Sequence, residues 1–299
     1  MTQYGYWRNF QTENRRVTLN DYGVINKVWY LFPQGDGPRG SFSTFTDLKP
    51  HLRSRDLIYL SGVLREQVTT PVGIFDVTIL GAANKPRQAT NGGVPTGGGA
   101  SWLAPTSPVA TTPLISVIEQ GWEFNNIQMA PVANAPCIWL RRQESLAIPD
   151  GSHTKVISCF FSAGGSGGIG IGLGETARNL IQDCDFEGLG TGVGYVTDGG
   201  FAVNQYNQII GNRFRRGTTY DIKFPGTYAL IKDNVFHSKF AVEAGARIDL
   251  TGGSLNMVIE NYVADVDTTI NLGFMKGDNG DVWRNYVATV ADPKVVVPA

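Results

Sequence analysis

A short unit recurs six times in the second half of the chain, and its spacing limits what the polypeptide can become. Two apolar residues are followed by one or two polar ones, a small residue, a variable residue, and then an aromatic or a valine. The copies lie at 156–161, 180–186, 209–214, 230–236, 258–263 and 282–287. Their central residues are Cys159, Cys184, Asn212, Asn234, Asn261 and Asn285, separated by 25, 28, 22, 27 and 24 residues. Helical repeats would carry runs of about 10–15 residues with a 3.6-residue period, and no such runs occur. Strands of three to five residues, broken by Gly, Asn and Asp, instead suit a solenoid whose coils stack about 4.8 Å apart. The period therefore predicts an all-β chain: a right-handed, single-stranded parallel β-helix with an N-terminal cap segment.

The recurring Asn has a physical reason to sit at a corner. Its short amide tolerates a strained backbone and bonds to nearby backbone groups. Stacked on its counterpart one coil away, it can pass a hydrogen bond along the axis, provided every member of the row is satisfied. Cys159 and Cys184 share this register, so they are expected to be inward corner residues with no part in catalysis. An earlier copy is expected near 122–127, in an uncertain register.

Four zones follow from the punctuation of the sequence. Residues 1–40 are aromatic-rich, end in a Gly/Pro turn, and form a docking or capping segment. Residues 41–290 form the β-helix, opened by a brief helical turn that Ser43 would cap and interrupted by a long loop at 84–113. Residues 291–299 form a tail. Gly168, Gly170 and Gly172, and likewise Gly192 and Gly194, alternate with apolar residues. This pattern predicts a strand with a bare outer face, open to another subunit or a flat ligand.

Bulk properties exclude several functions. Lys and Arg number 25 against 26 Asp and Glu, with no basic tract longer than a pair, so nucleic acid is not an expected partner. No stretch of about 18 apolar residues exists to span a membrane, and the start lacks the apolar core of a signal peptide. Three scattered His and three isolated Cys suggest neither a metal site nor a disulfide framework, and no cofactor is expected.

Glycan hydrolysis needs two carboxylates about 5–9.5 Å apart. Asp221 and Asp249, 28 residues apart on strands of alternating polarity, are the catalytic candidates and would be axial neighbours on one outer face. Lys223 and Arg247 beside them, and Trp102 in the long loop, are the candidate carbohydrate-binding residues. Surface ion pairing and simple packing are the competing readings. Asp183, Asp185 and Glu187 alternate but lack the pattern of a calcium loop. Ser152 and His153 are adjacent and cannot form a dyad, since neighbouring strand side chains point oppositely.

Thr46-Asp47-Leu48, Arg55 through Leu60, Gly62 and Arg65-Glu66 resemble the beginning of pectate-lyase-like β-helices. With the Ile-x-x-Asn-x-Phe units, the chain resembles bacteriophage tail-spike and virion-associated β-helix proteins over residues 42–290. The resemblance implies a homotrimer in the virion, made in the host cytoplasm, that binds and sometimes cleaves cell-surface polysaccharide. Residues 1–40 would then dock to other virion proteins. A polysaccharide depolymerase and a decoration protein with an assembly role are the alternatives.

Overall fold

Each copy of the repeated unit folds as two short strands on either side of a corner. In the first copy these are Lys155–Ile157 and Phe160–Ser162, and the following Ile169–Leu173 makes a third strand. Every strand pairs in parallel with its counterpart one coil later, so Val156, Ile181, Ile209, Ile231 and Val258 stand in one axial row. Among the described residues three long sheets result, called A, B and C in the order in which a coil visits them, with ten, ten and eight strands, and a small two-stranded sheet pairs Asn204–Gln205 with Gly226–Thr227. Among the described residues only the last pair, Asn285–Ala288 with Pro293–Val296, is antiparallel. The fold is a right-handed parallel β-helix. The structure, a computed structural model, describes residues 25–82, 99–132, 135–142, 151–163, 168–197, 204–217, 219–237, 247–263, 275–276, 281–283, 285–288 and 293–296.

The zone boundaries shift accordingly. Sheet A starts at Val28–Leu31, inside the segment expected to dock or cap, because Val28 to Leu31 pair with Leu57 to Leu60. Residues 1–24 of that segment lie outside the described residues. The expected loop at 84–113 contains strand Ala100–Leu103 of sheet B, while its portion at 83–98 is likewise outside them. Pro293–Val296 of the expected tail is a strand of sheet B. The short helix Phe45–Leu48 is capped by Thr44, whose side chain accepts from the Asp47 N–H, and not by Ser43. The Glu66 carboxylate also accepts from the Phe45 N–H (2.6 Å), satisfying a donor that the helix start leaves open.

Stacking like on like fills the interior. Phe161, Phe186, Phe214 and Phe236 lie in one row on sheet B, with ring centroids 4.8–5.1 Å apart and planes within 10°. Each such pair contributes about 0.5–1.5 kcal/mol beyond the area it buries. This row explains two glycines. A Cβ on Gly170 would lie 2.8 Å from the Phe186 ring, and one on Gly192 would lie 2.6 Å from the Phe214 ring. These glycines therefore clear space for the inner stack, contrary to the expected bare outer face. Gly194 does turn outward, where it meets only Thr191 and Ile169.

Two corners are built on left-handed residues. At the A–B corner, Asn126, Ser158, Asp183, Gly211, Asp233 and Glu260 all have positive φ. The strained residue is thus the one before each ladder position. Asn126 also fixes the register of the early copy, since Asn125 pairs with Ile157. The ladder residues that follow are buried, from Cys159 at 2% exposed to 0% for the four Asn. Asn212 Nδ2 donates to Asn234 Oδ1 (3.0 Å), Asn234 Nδ2 to Asn261 Oδ1 (2.9 Å), and Asn261 Nδ2 to Asn285 Oδ1 (2.9 Å). Each Oδ1 also accepts the backbone N–H of the preceding coil, beginning with Cys184 to Asn212 at 2.9 Å.

A second row, on the C–A corner, runs through Thr154, Asn179, Asn207, Ala229 and Asn256. Asn179 Nδ2 donates to Asn207 Oδ1 (3.0 Å), and Asn256 Oδ1 accepts from the Ala229 N–H (2.8 Å). Ala229 breaks the row, and the buried Nδ2 of Asn207 has no partner. Ala229→Asn is expected to supply the missing acceptor and raise stability by about 1 kcal/mol, or about 2 °C in Tm for a chain of this size. Asn234→Leu should cost about 3 kcal/mol by stranding two donors of Asn212. Thermal and urea melts of both variants check the pair.

Candidate functional site

On the outer face of sheet C, the register sets Gly172, Gly194, Lys223 and Asp249 in one axial row. Gly172 is overlain by Pro136 and Val196, whereas beside Gly194 the face opens into a groove of about 300 Å³. Ile169, Thr191, Tyr195, Lys223, Pro225, Asp249 and Thr251 line it. Lys223 is half-exposed and lies 3.9 Å from the Asp249 carboxylate. Its ammonium also sits 4.4 Å from the centre of the Tyr220 ring, a cation–π contact that steers it along the groove. Asp249 Oδ1 accepts from the Thr251 hydroxyl (2.6 Å) and backbone N–H (3.1 Å). The result is a shallow apolar floor with a cation, a carboxylate and hydroxyls at its wall.

Asp221 and Asp249 are not axial neighbours. Pairing Lys223 with Asp249 and Ile222 with Ile248 sets Asp221 level with Arg247 instead. Arg247 Nη1 donates to Asp221 Oδ2 at 2.9 Å, and both side chains are buried, at 1% and 3% exposed. In this arrangement Asp249 lines the groove with a side chain only 4% exposed, while Asp221 and Arg247 form an internal ion pair. Removing one partner of such a pair costs about 3–5 kcal/mol. Loss of activity in an Asp221 variant would therefore report folding before chemistry.

Trp102 is also buried, at 0% exposed, so it offers no face to a sugar. Its indole N–H donates to the Glu66 carbonyl (3.0 Å), and its ring packs 5.5 Å from Phe45, beneath the short helix. Asp185 and Glu187 each answer an Arg one coil on, Arg213 at 3.7 Å and Arg215 at 3.1 Å. Among the described residues no group of three His, Cys, Asp or Glu is gathered as if for a metal ion. Nor is any helix among them long and apolar enough to cross a membrane. Ser152 is buried and accepts the Ala177 N–H, while His153 points to solvent.

Burial, reinforced by neighbouring Cys159, pushes the Cys137 thiol well above its ordinary pKa. Cys159 and Cys184 donate to backbone carbonyls of Phe124 and Val156. All three thiols are buried and should resist alkylation at pH 8 in the native protein, then react together on unfolding. Thiol counting by mass spectrometry, with and without denaturant, checks this.

No family model matches the sequence, and no curated protein matches it. Its fold is similar to that of several solved structures. One is a DFA-IIIase mutant from Arthrobacter chlorophenolicus in complex with DFA-III. It has a TM-score of 0.55 and 14% identity, over 89% of this chain and 68% of that one. Another is an alginate lyase from a Paenibacillus species, with a TM-score of 0.53 and 12% identity, over 88% and 99%. A Geobacillus virus protein matches at a TM-score of 0.36 and 9% identity, over 89% and 63%. The first two support the parallel β-helix fold; the third is too distant in shape to add to it.

Proposed function

We propose that this protein binds polysaccharide through the groove on sheet C and serves as a host-attachment component of a virion. The observation that carries the binding role is the placing of Lys223, Asp249, Thr191, Thr251 and Tyr195 around the open face at Gly194. A pyranose presents apolar C–H faces and a rim of hydroxyls. The bare glycine and Ile169 suit the faces, and the carboxylate and threonines suit the rim. Lys223 adds a charge-assisted bond for sugars that carry a carboxylate. The alginate lyase and the DFA-IIIase complex support a carbohydrate ligand by analogy of fold.

Binding is favoured over hydrolysis because neither carboxylate is presented as hydrolysis requires: Asp221 is buried against Arg247, and Asp249, 4% exposed, is held by Thr251 and Lys223. A depolymerase reading keeps one observation in its favour, the joint presence of Lys223 and Asp249 in one groove. Alginate, polygalacturonate and neutral xylan are suitable probes. Lys223→Ala is expected to weaken binding of the charged polymers about tenfold, the effect of one charge-assisted bond of about 1.5 kcal/mol. Binding without release of reducing or unsaturated ends supports attachment; steady release that Asp249→Ala abolishes would replace it with depolymerisation. The virion reading carries a homotrimer with it, for which light scattering should give about three times the chain mass of 32.4 kDa.

A further inference from the structure

The C–A corner carries His153, Arg178, Tyr206, Tyr228 and Leu255 at its left-handed position on five successive coils, with φ of 55–58°. Glycine adopts this conformation freely and Asn or Asp tolerates it, but bulky side chains do so rarely. Among the described residues the A–B corner keeps closer to that preference, with Asn126, Asp183, Gly211 and Asp233 at the matching place, the small Ser158 beside them, and Glu260 as its one long side chain. At the C–A corner large side chains are kept against the backbone's preference, and burial in the core does not explain them. Tyr206, Tyr228 and Leu255 are 45%, 47% and 54% exposed.

The two tyrosine rings lie parallel, 5.1 Å apart and 8° from coplanar, and the Arg178 guanidinium stands 5.9 Å from the Tyr206 ring. Pro225 lies on the wall of the sheet C groove. Tyr228 follows it by three residues, no more than about 10 Å of chain. A polymer seated in a groove of about 300 Å³ extends beyond it, and this ridge is within reach.

We propose that Arg178, Tyr206 and Tyr228 form an outer subsite for the carbohydrate chain held at Lys223 and Asp249, an inference that rests on the binding reading of that groove. Because the rings cover each other's faces, they offer edges and phenol hydroxyls. Together with the guanidinium these make a row of hydrogen-bonding groups at the coil repeat, matched to sugar hydroxyls on successive residues.

The test compares the full chain with a Tyr206→Asn/Tyr228→Asn double variant and with Lys223→Ala. Alginate, polygalacturonate and xylan, each with its disaccharide, are the probes. Asn suits the left-handed position, so the double variant should melt at or above the wild-type temperature. It should lose about tenfold in affinity for the polymer yet bind the disaccharide, which the groove holds alone, unchanged. A clear drop in Tm would make the rings scaffold and overturn the proposal, as would wild-type polymer affinity. If Lys223→Ala weakens binding while the double variant does not, the ridge falls and the groove stands. If the wild type binds none of the probes, both fall.

Discussion

Parallel pairing of each strand with its own counterpart one coil later is the constraint on which everything else depends. It brings equivalent residues within about 4.8 Å along the axis, so a polar group buried at a corner meets the same corner one coil on. Asparagine answers this well, because its amide can donate forward while its oxygen accepts from behind. From Asn212 to Asn285 each coil is tied to the next by two such bonds. Cysteine at 159 and 184 offers only a weak donor, spent on the backbone carbonyls of Phe124 and Val156.

The same constraint decides which features can be read from sequence. The ladder is legible because a repeating contact leaves a repeating residue. The second row is not, since Thr154 and Ala229 interrupt its asparagines. The gly-rich strands mislead because alternation says which residues share a face, but not that Gly170 and Gly192 must yield to rings on another sheet. Asp221 and Asp249 mislead through register. Their separation of 28 residues resembles one coil, yet the coil there is two residues shorter, which sets the true partner of Asp221 two positions earlier, at Arg247. Trp102 was drawn into a loop by its glycine neighbours, although Ala100–Leu103 is a strand with every side chain covered.

The groove and the ridge share an origin. Among the described residues both arise where the regular coil is altered by one residue, a missing side chain at Gly194 or an oversized one at Tyr206 and Tyr228. Aligning strands of sheet C by register would have exposed the first, and scanning residues before each sheet A strand would have exposed the second.

The antiparallel turn-back of Pro293–Val296 onto Asn285–Ala288 has a consequence for assembly. A stack of parallel coils is in principle an open-ended template, since each terminal strand presents the pattern that the next would match. Among the described residues, sheet B instead finishes on a strand running the other way, with a proline that cannot donate. A second molecule cannot prolong that sheet in the register of the first, so head-to-tail growth into a fibre is frustrated at one of the three sides of the coil.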